Sequence, residues 1–268
     1  MEEKKRKPDF IKEIEVHDLG DGIFNLTAPP LKFMQYLILG NERAMLIDTG
    51  FGLGSLKEKI TELTDLPLVL VNTHGHPDHV GGNIEFGAPY LHEDDFELYF
   101  HASTYNERTE EAKGWRFWEG ELILRGTPEP PVRMEDGKIF DLGGRKIRVI
   151  LTPGHTKGSV CLLDEQTGTL FSGDTVQSTP TALIEKYAVT ISEYIESLEK
   201  LKKFNITSIC PGHRVNRIAA DMIQKKIDCA KYILAGNKGE PKRTRTGDEA
   251  FIVTLGDAQI EYVASKLA

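Results

Sequence analysis

Cysteine is scarce: Cys161, Cys210 and Cys229 are the only three in 268 residues, they cannot all pair, and none forms a CxxC with another. A disulfide framework and a thiolate zinc site are both disfavoured, and the reducing cytoplasm is the simplest compartment. An excess of positive charge is also lacking. Lysine and arginine number 33 against 41 acidic residues, a formal charge of −8, whereas nucleic acid and anionic membranes select clustered cations. The expected partner is therefore a small molecule, with no nucleic acid and no membrane; the oligomeric state stays open, a homodimer among the options. No apolar run approaches the ~18 residues of a membrane helix, and the charged start, MEEKKRKPDF, has no signal-peptide core. Gly50, Gly52 and Gly54 match neither GxGxxG nor GxxxxGKS/T, so that glycine-rich bend reads as a turn and not as a phosphate cradle.

What the chain does have is a 40% hydrophobic content, enough for a large core without staples. Residues 1–268 show no linker and read as a single domain, with a helical insertion at about 94–131. Alternation around Gly20-Asp21-Gly22 predicts a hairpin. QYLIL at 35–39 and AMLID at 44–48 read as two further strands. Ser55 is placed to cap a helix, SLKEKITELT, with Glu58 completing a capping box. PLVLVNTH at 67–74 reads as a buried strand. The insertion carries Tyr99, Tyr105, Trp115, Phe117 and Trp118, read either as core packing or as the wall of a pocket. Strand pairs follow over 137–155 and 159–174, then a helix at 191–204, a short strand at SIC, a helix over about 216–234 and a final hairpin. This order suggests an α/β sandwich.

The strands keep ending in residues of one chemical kind. THGHPDHVGG, residues 73–82, holds three histidines and an aspartate within six positions. His74 and His76 are two apart and can point the same way, while Asp78 and His79 follow Pro77, which is expected to forbid regular helix. His155, Asp174 and His213 each close a later strand. Taken as ligands, His74, His76, Asp78, His79, His155, Asp174 and His213 offer five imidazoles and two carboxylates. That set suits zinc, iron or manganese in a catalytic site. Seven ligands exceed one tetrahedral ion and fit two divalent ions about 3.5 Å apart if a carboxylate bridges them. Asp78 is read as ligand or general base. His17, His92 and His101 stand in no such motif and are read as ordinary surface or core histidines.

LIDTG, THGHPDHVGG, TPGHTKGS, FSGDT and PGH stand in this order from Asp48 to His213, and with them the chain resembles the metallo-β-lactamase-fold hydrolase superfamily. The resemblance implies a four-layer αββα sandwich with two metals, zinc first, at one edge between the sheets. It implies that His74, His76 and His155 hold the first metal, Asp78, His79 and His213 the second, and that Asp174 bridges. Asp48 matches the family's first aspartate, which supports ligand loops more often than it binds metal. The implied activity is metal-dependent hydrolysis, a bridging hydroxide attacking an ester, thioester or lactone-type carbonyl. Asp174 is similar to the bridge of glyoxalase II and lactonase-type members and argues against penicillin-type substrates. Gln177 stands where such lactonases tend to have tyrosine, with Tyr187 a substitute or a core residue, and RVNRI after His213 departs from glyoxalase II. A mononuclear iron persulfide-dioxygenase-like enzyme and a non-enzymatic metal-binding or sensing protein are the alternatives. Lys242, Arg243 and Arg245 read as a solvated basic loop or as an acidic-substrate contact.

Overall fold

The computed structural model describes residues 14–28, 32–114, 125–244 and 247–267. Seven strands, β1 (Glu15–Asp18), β2 (Ile23–Thr27), β3 (Gln35–Leu39), β4 (Ala44–Ile47), β5 (Leu68–Val71), β6 (Tyr90–Leu91) and β7 (Val132–Arg133), form one sheet in sequence order. It is antiparallel up to β4 and parallel from β4 to β7. A second sheet runs β14-β13-β11-β10-β9-β8, from β8 (Ile139–Asp141), β9 (Lys146–Leu151), β10 (Val160–Asp164), β11 (Thr169–Gly173), β13 (Ser208–Pro211) and β14 (Ile218–Ala219).

The two sheets face each other because their strands are apolar on the inner side. Tyr36, Ile38, Met45, Ile47 and Val71 of the first pack on Ile147, Val149, Leu162 and Phe171 of the second, all within 2% of full burial. β3 and β4 are buried on their outer faces too, since Leu37, Ala44 and Leu46 lie under Leu56 and Ile60 of α1 (Leu56–Leu63). Strands covered on both sides read as continuous apolar runs for this reason. On the far face of the second sheet lie α5 (Ile191–Leu201) and α6 (Met222–Leu234), through Tyr194, Leu198, Ile223 and Ile227. The order helix, sheet, sheet, helix is the four-layer αββα sandwich.

Several local expectations need correction. Ser55 does cap α1, its hydroxyl accepting the Glu58 N–H at 3.2 Å, but the carboxylate at the helix start is not Glu58. Glu85 reaches in from another turn, accepting the Leu56 N–H at 2.8 Å and the Ser55 hydroxyl at 2.6 Å. Pro77 does not forbid helix: it occupies the first position of α2 (Pro77–Val80), where its missing N–H costs nothing. Among the described residues the helical insertion holds α3 (Phe96–Ala102) and α4 (Tyr105–Gly114), separated at Ser103 and Thr104. The helix expected from Asn216 begins at Met222, because Ile218–Ala219 pairs with β13. The final hairpin, β16 (Glu249–Leu255) and β17 (Ala258–Val263), belongs to a third sheet of order β12-β17-β16-β15 with β12 (Thr181–Leu183) and β15 (Glu240–Arg243), packed on α6. The basic loop is thus in part an edge strand, and Lys242 pairs with Glu261 at 2.9 Å. Arg245, Trp115, Phe117 and Trp118 lie outside the described residues. No helix among the described residues is long and apolar enough to cross a membrane, and all three cysteines are buried free thiols.

Candidate metal centre

Strands β4, β5, β9, β11 and β13 end at the same edge of the sandwich, and each delivers site residues from its C-terminal end. Asp48 follows β4, the 74–79 segment follows β5, and His155, Asp174 and His213 follow β9, β11 and β13. The candidate ligands brought together there, His74 to His213, lie up to 139 positions apart in the chain (213 − 74). His74, His76 and His155 form one group, His74, His79 and Asp174 a second, and Asp78, His79 and His213 a third, the ligand atoms of each lying within 4.8 Å of one another.

Four of the five imidazoles have one nitrogen held by the protein and the other turned inward. Nδ1 of His74 lies 3.1 Å from the Thr73 hydroxyl, Nε2 of His76 lies 3.0 Å from the Glu185 carboxylate, and Nδ1 of His155 lies 2.7 Å from the Ala182 carbonyl. Nδ1 of His79 is 2.7 Å from Asp48 Oδ2. Such partners fix tautomer and ring orientation and leave the other nitrogen's lone pair free. The inward atoms converge: His76 Nδ1 and His155 Nε2 are 2.8 Å apart. Asp174 lies between the groups, with Oδ2 3.1 Å from His213 Nε2 and 3.7 Å from His155 Nε2, and Oδ1 3.5 Å from His79 Nε2. Asp78 Oδ2 stands 3.5 Å from His213 Nε2 and 3.8 Å from His79 Nε2.

Asp48 adopts φ +59°, a left-handed conformation that aspartate tolerates better than most residues. From there its carboxylate accepts the Thr73 N–H at 2.8 Å and the Thr73 hydroxyl at 2.7 Å while holding His79. It supports the 73–79 segment and is in none of the three ligand groups. Gly212 allows the closest approach: a Cβ there would lie 2.5 Å from Asp174 Oδ1 and 2.9 Å from His79 Cε1.

Electrostatics set the protonation states. Burial, reinforced by the neighbouring imidazoles, holds His74 well below the usual histidine range and also lowers His155. For His79 and His213 burial works in the same direction but is overcome, by Asp48 and Asp78 for the first and by Asp174 for the second, and both pKa values rise. Burial of Asp174 is likewise outweighed by His213 and His79, which keep its carboxyl well below the usual range. Burial of His76 is overcome in the same way by Glu185, so His76, His79 and His213 favour a proton in the cation-free site, and a divalent cation would displace it to obtain neutral imidazoles beside ionised carboxylates. The fit to a cation is visible in what is left over. Nε2 of His74, Nε2 of His79 and Oδ1 of Asp174 are buried with no hydrogen-bond partner among the described residues, a costly arrangement unless something else satisfies them.

The residues outside the motifs sort differently from expectation. Tyr187 is not core: its hydroxyl donates to Glu97 at 3.3 Å near the surface. Gln177 is buried and donates to the Pro180 carbonyl. Tyr99 is core, whereas Tyr105 packs against Phe33 and Phe51, whose rings are 6.1 Å apart. Phe33 in turn meets the His213 ring edge-on at 5.5 Å, so an apolar wall adjoins the third group. Glu185 and Asp95 stand in none of the five motifs. Nothing marks them among their acidic neighbours, since only the tertiary fold decides which carboxylate turns towards the site.

A two-sheet sandwich with histidines and aspartates gathered at one strand-end edge defines the class. The metallo-beta-lactamase superfamily model matches residues 34–213, and the chain belongs to that superfamily. It is similar to an acyl-coenzyme A thioesterase from Homo sapiens, 30% identical over 253 residues covering 80% of this chain and 88% of that protein. It is also similar to an atrochrysone carboxyl ACP thioesterase from Aspergillus fumigatus, 27% identical over 200 residues covering 72% of this chain and 54% of that one. Among solved structures, one described as a di-iron-bound form is 25% identical with a TM-score of 0.58, covering 75% of this chain and 97% of that one. Hydrolysis fits these relatives better than the dioxygenase or the non-enzymatic reading.

Proposed function

We propose that this chain is a binuclear metallohydrolase that cleaves thioesters joining an acyl group to a small carrier thiol, with zinc as the first candidate metal and iron or manganese as alternatives. We also take residues 1–268 to act as one domain, in the cytoplasm. The observation that carries the reading is the pair of residue groups with Asp174 between them and three buried polar atoms left without partners. His74, His76 and His155 would hold one cation, Asp78, His79 and His213 the other, with Asp174 shared. Two such cations supply Lewis acidity, lowering the pKa of water towards neutrality and stabilising negative charge on a carbonyl oxygen.

The chain's own residues do the rest. Thr73, Glu185, Ala182 and Asp48 keep four imidazoles turned inward, so little reorganisation is needed when charge develops. Asp78, partly exposed and with Oδ2 directed at His79 and His213, offers its second carboxylate oxygen to take a proton and pass it to the departing sulfur. The wall of Phe33, Phe51, Leu53 and Tyr105 next to His213 suits an acyl chain and excludes water from it. The thioester preference draws on the human and fungal relatives named above.

The test is a panel of acyl-CoA thioesters, lactones, phosphodiesters and β-lactams offered to zinc-, iron- and manganese-loaded protein. The thioester is expected to give the highest kcat/KM. A faster phosphodiester or β-lactam would overturn the substrate class, and one iron per chain with oxygen uptake would replace hydrolysis by the dioxygenase.

A further inference from the structure

Asp95 is fully buried at the start of α3, the last of the acidic run Glu93-Asp94-Asp95 and the only one of the three turned inward. Among the described residues, its carboxylate's hydrogen bonds go to the two loops that carry the first histidine group. Oδ2 accepts the Gly75 N–H at 2.8 Å and the Thr156 hydroxyl at 2.7 Å, and Oδ1 accepts the Gly158 N–H at 2.9 Å. Gly75 lies between His74 and His76, and Thr156 follows His155. One carboxylate therefore ties the segment bearing two of the imidazoles to the segment bearing the third, which is otherwise 79 positions away. The loops are shaped to this contact. A Cβ on Gly158 would lie 2.7 Å from Asp95 Cγ, so a side chain there would push the carboxylate out. The Ser159 hydroxyl accepts the Thr156 N–H at 3.0 Å and lies 2.8 Å from the Thr156 hydroxyl, fixing the Thr156 side chain in place.

We propose that Asp95 is a positioning residue for the first cation site: by holding both loops at once it sets the spacing of the His74, His76 and His155 rings, whose centroids lie 4.6 to 5.0 Å apart, and so sets that site's affinity. It touches neither substrate nor cation. The inference rests on the binuclear reading above. It adds that the insertion between β6 and β7, through its first turn, is part of how the metal site is built. A buried carboxylate that accepts several N–H and O–H donors makes shorter and roughly twice as strong bonds as a neutral group of the same shape. Groups bonded directly to a metal's ligands typically change affinity 10- to 100-fold when removed, and Asp95 acts on three ligands at once through their loops.

The experiment measures zinc per chain by elemental analysis and each site's Kd by chelator competition, for wild type, Asp95→Asn, Thr156→Val and Thr156→Ser. Asp164→Asn serves as a control, a buried carboxylate paired with Arg145 at the other end of β10. Asp95→Asn is expected to weaken one of two zinc sites 10- to 100-fold and leave the other, with Thr156→Val a smaller loss in the same direction and Thr156→Ser near wild type. Asp164→Asn is expected to lower the melting temperature of the metal-free protein without changing either Kd. If Asp95→Asn folds less stably yet its folded fraction binds two zinc ions as wild type does, Asp95 is merely structural and the proposal is overturned. Should that variant not fold, unchanged Kd values in Thr156→Val overturn it equally. Wild type that takes up no zinc, iron or manganese would sink the binuclear reading along with this one, whereas wild type with two ions and variants with two sinks this one alone.

Discussion

Asp48 contributes to the site through the company it keeps. Its carboxylate fixes Thr73 and the ring of His79 together. Asp48→Asn keeps the shape and removes an ionic partner, so the second cation should bind 10- to 100-fold more weakly, with a smaller loss at the first, whose His74 is reached through Thr73, measured by chelator competition. A different residue governs a pH dependence. Lys226 of α6 is buried, donates to the Thr179 and Gln259 carbonyls at 3.0 and 2.6 Å, and is pushed down to about 7 by desolvation. Its folded pKa lies below the unfolded value of about 10.4. Between the two the unfolded chain holds a proton that the native state does not, so the contribution of Lys226 to stability rises with pH from about 7 upward, by up to ~1.4 kcal/mol per unit. Urea unfolding of wild type and Lys226→Met at pH 7 and 9 should show wild type gaining up to about 2 kcal/mol on the variant; parallel behaviour would refute it. At this scale the sequence is a good guide to the histidines, because a metal ligand needs a particular side chain in a recurring spacing. It is a poor guide to Asp95, Glu185 and Lys226, whose roles come from what the fold packs around them.

At the scale of elements, propensity locates α1 and α5 but misjudges how α1 is closed. α5 carries a true capping box, Thr190 with Glu193, while α1 borrows Glu85 from a turn 29 residues further on. Truncating Glu85 to Ala should therefore destabilise the protein by about 1 kcal/mol or somewhat more, as loss of a cap does, and Glu58→Ala by much less. Chemical denaturation of the two variants checks the order. The strands that carry ligands are legible because each is an apolar run ended by a polar motif. The third sheet is not, since β12 pairs in parallel with β17 about eighty positions away, and neither strand alone says which partner it takes. Pro77 shows the same limit from the other side: a residue that breaks a helix interior opens α2 without penalty.

For the whole molecule, the seven proposed ligands divide between the two sheets. The first supplies His74, His76, Asp78 and His79, the second His155, Asp174 and His213. Chelation should abolish thioester hydrolysis, and re-addition of zinc, iron or manganese should restore it. Metal-free protein should also melt lower, because a cation at a hundred times its Kd contributes about 2.7 kcal/mol to the native state; calorimetry with and without chelator measures this. The class of fold is readable from five motifs in order, through the resemblance they carry to a known superfamily. That division between sheets has a kinetic consequence. Neither half can offer a complete ligand set before the hydrophobic faces dock, which predicts that a cation is captured after the main barrier to folding. Stopped-flow refolding should then proceed at one speed whether or not zinc is present, while unfolding of the loaded protein slows: the ion acts as a latch on a door that has already swung shut.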